Sequence, residues 1–116
     1  MDFTLSTRRG RTGTVLEVTG ELDLSTSPQL TDRLQQLMQD GARRVVIDLA
    51  GVSFMDSTAL GALVVAHRDL SEGGGRLSLA EVRRPVRKVL AITSVDRIID
   101  IFDTVQDAEE AAMAQT

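Results

Sequence analysis

The chain has 116 residues, no cysteine, one histidine, and 13 Lys and Arg against 17 Asp and Glu, a formal charge of −4. That length fits one domain with a single core, and the missing cysteines exclude a disulfide framework or a cysteine metal site. One histidine excludes a multi-histidine metal site within the chain, and the acidic balance argues against nucleic acid or an anionic membrane surface as the main partner.

Phe3 and Leu5 alternate with polar neighbours, and so do Leu16 and Val18, which predicts two half-buried strands joined as a hairpin around a turn at Arg9 to Gly13. Met1 to Gly13 lacks a basic segment followed by an apolar one, so no signal peptide is expected and the chain reads as cytoplasmic. Ser27 followed by Pro28 has the form of an N-cap and first helical turn; Leu30, Leu34, Leu37 and Met38 then mark one apolar stripe, and Gly41 supplies the stop.

Val45, Val46, Ile47 and Leu49 form a nearly continuous β-branched run, the pattern of a central strand buried on both faces. Ala50 to Met55 reads as a short link to a helix from Thr58 to about Ser71, with one of Asp56, Ser57 and Thr58 as its N-cap. At 3.6 residues per turn, Leu60, Leu63, Val64, His67 and Leu70 face the sheet. The opposite side carries Thr58, Gly61, Ala62, Val65 and Asp69, small or weakly polar residues that predict a flat, low-charge patch where another backbone could approach closely. Ser57 therefore sits at the positive end of a helix beside that patch. Its hydroxyl has two physical uses there: it caps the helix, the commoner use, or it carries a phosphate that the helix dipole tolerates.

Gly73, Gly74 and Gly75 suit a helix end and tight turn, since no Lys-Ser or Lys-Thr and no helix follows as a phosphate loop would require. Leu77 and Leu79 mark a fourth strand, and Pro85 opens a short helix with Val86, Val89 and Leu90 inward. Arg83, Arg84, Arg87 and Lys88 gather at its start, either as a solvated face or as a surface for an acidic partner. Ile98, Ile99, Ile101 and Phe102 predict a last strand, and Thr104 with Asp107 a capping box for a final helix. That helix has a thin apolar stripe and is expected to fray after about Glu110. The whole reads as an α/β fold: a mixed sheet of about five strands, an N-terminal hairpin followed by alternating helices and strands, with about four helices covering its apolar face. The apolar segment Ala59 to Ala66 is far short of the roughly 20 residues a bilayer span needs.

Two segments together resemble the STAS domains of bacterial anti-sigma factor antagonists: Gly20 to Asp23, GELD after the second strand, and Phe54 to Leu63, FMDSTALGAL. The resemblance extends over nearly the whole chain, so residues 1–116 are expected to be a single STAS domain. It implies a binding switch of the kind used in stress response or sporulation. The unphosphorylated form would bind an anti-sigma factor that is itself a serine kinase and so release a sigma factor. Phosphorylation at Ser57 would switch binding off, and a PP2C-type phosphatase would reset it. The family fold sets the GELD loop beside the phosphorylation loop, making Asp23 a partner contact with Asp56, Thr58, Gly61, Ala62 and Val65. Ala59 stands where family members often have glycine. Neither cofactor nor metal is expected, and the free domain is expected to be a monomer.

Two other readings compete. A hydrolytic triad of Ser57, His67 and an Asp is disfavoured because His67 lies ten residues on, roughly 15 Å along one helix, and no G-x-S-x-G elbow surrounds Ser57. A small-ligand or nucleotide sensor, or a scaffold module in a regulatory complex, is the alternative from another class. The three phenylalanines are the only aromatic residues available to stack a base.

Overall fold

Five strands form one mixed sheet in the order β1-β2-β3-β4-β5. The structure is a computed structural model and describes residues 2–114, so Met1, Gln115 and Thr116 of the expected 1–116 domain lie outside it. Strand β1 (Thr4–Arg9) pairs antiparallel with β2 (Thr14–Leu22), and their turn is closed by Gly10 N–H donating to the Gly13 carbonyl at 2.7 Å. All later pairings, β2 with β3 (Arg44–Met55), β3 with β4 (Arg76–Ala80) and β4 with β5 (Asp100–Phe102), are parallel. The β-branched run therefore forms the middle strand, as its sequence predicts.

Alternation along the parallel strands divides the core. Leu16, Ile47 and Leu79 are fully buried in the main cluster, which takes in Leu30 and Leu34 of α1 (Ser27–Gln39), Leu60 and Leu63 of α2 (Ser57–Glu72), and Val86 and Leu90 of α3 (Arg84–Ile92). Val15, Val46 and Ala80 point the other way, onto Val105 and Ala108 of α4 (Val105–Met113). The helices thus do not share one face, because a strand apolar on both sides needs a cover on both.

Other boundaries depart from the sequence reading. The expected link Ala50 to Met55 is strand: Gly20, Glu21 and Leu22 pair with Val52, Phe54 and Met55, so three residues of the GELD segment lie inside β2. Val52 and Met55 are buried, and this anchors the extension. A 3-10 turn at Val95–Arg97 precedes the last strand, leaving Ile98 and Ile99 outside it. Thr104 caps α4 by accepting the Asp107 N–H at 3.0 Å, as its spacing predicts. The helix runs past Glu110 to Met113. One tether is Glu109, buried beneath the β1–β2 turn, where its carboxylate accepts the Arg11 N–H. At the same end of the sheet Gly73 ends α2 and Gly74 takes a positive φ of 81°, the turn that the three glycines predict.

Candidate functional site

The carboxyl ends of β2 and β3 finish side by side, Leu22 against Met55, and Asp56 N–H donates to the Leu22 carbonyl at 3.0 Å. This brings the residues after both strands, Asp23 and Asp56 to Thr58, into one cluster. Asp56 is the N-cap of α2: its Oδ1 accepts the N–H groups of Thr58 at 2.9 Å and Ala59 at 3.2 Å, and the Thr58 hydroxyl at 2.5 Å. Such bonds to an ionised acceptor are short and strong.

Asp23 orders the turn that leads into α1. Its Oδ1 accepts from Ser25 N–H at 3.0 Å, Ser25 Oγ at 2.7 Å and Thr26 N–H at 3.1 Å, while its carbonyl accepts the Ser27 N–H at 2.8 Å. Ser27 is consequently not the cap. Thr26 holds that position without a side-chain cap bond, and Ser27 is the first helical residue, its buried Oγ 2.7 Å from the Asp23 carbonyl and 3.0 Å from Thr58 Oγ1. The Ser27–Thr58 contact ties the first turns of α1 and α2 together.

Five hydroxyls converge here, and four are engaged. Ser25 bonds Asp23, Thr26 donates to the Glu21 carbonyl at 2.8 Å, Ser27 meets the Asp23 carbonyl and Thr58, and Thr58 donates to Asp56. Ser57 is exposed, and no hydrogen bond to its hydroxyl is made by any described residue. Sequence spacing left capping and modification both open for Ser57; the capping work falls to Asp56.

Both carboxylates stay ionised well into acid. Asp23 is held below the ordinary carboxylate range chiefly by the Ser25 hydroxyl, with backbone N–H groups of Thr26 and Ser25 adding to it and partial desolvation opposing. Asp56 is lowered chiefly by the Thr58 hydroxyl, against desolvation and the nearby Asp23 charge. A carboxylate lowered on folding stabilises the fold above its unfolded pKa, and that contribution disappears as pH falls through the lowered value. Asp56→Ala should therefore lower Tm at pH 7, and the gap between parent and variant should narrow as pH falls through the lowered value. Thermal melts across a descending pH series check this, and a gap that stays constant would contradict the cap's ionic character.

Helix α2 presents Thr58, Gly61, Ala62, Val65 and Asp69 as expected, but the surface is not flat. These residues form one wall of a groove of about 220 Å³ whose other wall is Thr31, Leu34, Gln35 and Met38 of α1. A Cβ added at Gly61 would meet nothing within 4 Å, so the helix backbone is open to the groove. Two apolar side chains that the sequence reading passed over flank the site: Leu24 is 74% exposed and Phe54 48% exposed, alongside Val65 at 44%. A leucine in an otherwise polar turn was the available signal for the first. Alternation in β3, visible only once that strand is known to reach Met55, was the signal for the second. His67 lies on α2 away from this cluster, its buried Nδ1 without a hydrogen-bond partner among the described residues, so no triad forms. Among those residues no group of acids and histidine could hold a metal, and no helix is long and apolar enough to cross a membrane.

The STAS domain family profile matches residues 5–108. The chain belongs to the STAS domain family. This STAS domain is 33% identical over 86 residues to the anti-sigma-B factor antagonist of Staphylococcus aureus, covering 74% of the chain and 80% of that relative. The crystal structure of an anti-sigma factor antagonist from Mycobacterium paratuberculosis superposes with a TM-score of 0.86 at 25% identity, covering 95% of this chain and 93% of the other. SpoIIAA in its unphosphorylated form, 24% identical, superposes with a TM-score of 0.80 over 97% of both chains and bears on the fold alone. The five-stranded mixed sheet and four helices of this STAS domain are that fold.

Proposed function

We propose that this domain is an anti-sigma factor antagonist that works as a binding switch rather than a catalyst. Unphosphorylated, it binds a serine kinase acting as anti-sigma factor in the cytoplasm and frees a sigma factor. Phosphorylation of Ser57 releases the kinase, and a PP2C-type phosphatase restores the binding form. The observation that carries this reading is the free hydroxyl of Ser57: its four neighbours are committed to hydrogen bonds, and it alone is exposed and unengaged among the described residues. The name of the Staphylococcus aureus relative supports the partner class. The determination of SpoIIAA in a phosphorylated form supports a phosphorylation switch on this fold.

The direct test is a pull-down with parent, Ser57→Ala and Ser57→Asp proteins, followed by incubation of the retained kinase with ATP and mapping of the phosphate. One phosphate on Ser57 is expected, and its absence from Ser57→Ala. A phosphate on Thr58 alone, or equal labelling of Ser57→Ala, would overturn the assignment.

Asp23, Asp56 and Thr58 form the rim of the proposed partner surface, and Gly61, Ala62 and Val65 its apolar part. Ala62→Arg should change stability by no more than about 0.5 kcal/mol, the usual range for surface changes, while sharply weakening partner binding. Gly61→Ala should raise stability by about 0.5–1 kcal/mol, because the methyl group has room and the helix loses a flexible residue. If the partner's backbone uses that opening, binding falls even as stability rises. Chemical denaturation with a binding titration checks both, and normal binding by folded Ala62→Arg would remove this face from the interface.

A further inference from the structure

A concavity of about 840 Å³ lies between the β1–β2 turn and the segment joining α1 to β3. It is far from Ser57: the two sites sit at opposite ends of β3, whose 12 residues span roughly 35 Å at about 3.3 Å each. Arg8, Arg9, Arg11, Arg43 and Arg44 line it in a chain whose net charge is −4.

The polar inventory of this cleft is one-sided. Arg8 reaches Glu17 only at 4.0 Å, and Arg43 donates to the Gly73 carbonyl at 2.7 Å. The guanidinium groups of Arg9, Arg11 and Arg44 pair with no carboxylate among the described residues, and the hydroxyls of Thr7, Thr12 and Thr14 on the same lining form no hydrogen bond with them. On the acceptor side stand Asp40, which already takes a bond from Gln36 Nε2 at 3.1 Å, and Glu109 beneath the turn, occupied by the Arg11 N–H. Counting Glu17, three acids face five arginines. Gly41, at a φ of 95°, leaves open space where a side chain would stand.

We propose that this cleft binds a small, multiply charged phosphate compound, one with at least two phosphate groups. A ligand made of acceptors satisfies a wall made of donors. Guanidinium forks match phosphate oxygens two at a time, so several arginines around one cavity fit several phosphates better than a single one. The cavity also falls in the range of about 300–1,000 Å³ typical of small-molecule sites, whereas a protein partner needs a broader surface. The excess charge is local, and the acidic remainder of the domain repels polyanions that extend beyond the cleft.

The probe is inorganic triphosphate, titrated calorimetrically into the full chain at physiological salt, with amide NMR to locate it. Saturable 1:1 binding is expected, with shifts confined to the Gly10–Thr14 turn and Gly41–Arg44. The Arg9→Gln/Arg44→Gln double variant, checked by its melting temperature, should bind at least about tenfold more weakly, while Ser57→Asp should bind as the parent does. This keeps the outcome separate from the switch at the other end. No saturation by about 1 mM, shifts at Asp23 or Thr58, or an unchanged folded double variant would overturn the proposal. So would tighter binding of a glutamate-rich peptide than of triphosphate, which would assign the cleft to an acidic protein segment.

Discussion

Phosphorylation of Ser57 is expected to weaken kinase binding by a few hundredfold, a loss of about 3 kcal/mol, with no change in the backbone. The phosphate adds a charge of about −1.5 to −2 at the start of α2, where the helix dipole favours an anion. It finds few free donors, because Asp56 already holds the N–H groups of Thr58 and Ala59. The new charge therefore stands beside Asp56 and Asp23, whose own mutual repulsion is already felt at Asp56. In the free protein water screens this cluster. Pressed against a kinase site whose product phosphates are also negative, it meets desolvation and like-charge repulsion together. Comparison of amide spectra of the two forms, alongside binding titrations, checks the mechanism: shifts confined to the Asp23 loop and the first turn of α2 are expected. Shifts spread through β3 and α3 would mean a conformational switch instead. Ser57→Asp should imitate the released state.

Local chemistry was legible in the sequence wherever the cause was local. The β-branched run Val45 to Ile47 announced the middle strand, and Thr104 with Asp107 announced α4. Where the deciding contact came from another part of the chain, the reading stopped short. Gly51 and Ser53 weaken any strand pattern after Leu49, yet β3 continues to Met55 because Gly20 to Leu22 of β2 lie alongside to pair with it. Ser27 and Pro28 look like a cap and first turn, but the helix begins one residue earlier than that reading, and the Ser27 hydroxyl is held by the Asp23 carbonyl and Thr58 rather than by N–H groups of its own first turn. Glu109 looks like a solvent residue in a thin helix, and only the fold shows it buried under the hairpin turn. At the site, the two segments GELD and FMDSTALGAL are the ones whose residues the structure brings side by side at the ends of β2 and β3. What needed the structure was the assignment of each hydroxyl, and the second wall that α1 adds to the α2 stripe.

The fold beneath the site should respond far more strongly than the site itself to a cavity in the core. Leu63 is fully buried on the sheet-facing side of α2, within the same cluster as Leu16, Ile47 and Leu79. Leu63→Ala removes three methyl-sized groups from a packed interior and leaves a void that rigid neighbours fill only partly, for an expected cost of about 2–5 kcal/mol. That is a large share of the roughly 5–15 kcal/mol holding a domain of this kind together, and Tm should fall by about 10 °C or more. Partner affinity measured well below that Tm should hold to within about threefold, because the geometry around Ser57 is fixed locally: Asp56 caps the helix and bonds the Leu22 carbonyl, and Thr58 meets Ser27. Urea denaturation with a binding titration at low temperature separates the two quantities. A cost below about 1 kcal/mol would mean the helix repacks to fill the void. A folded variant that no longer binds would place the control of the site in the seating of α2 on the sheet rather than in its first turn.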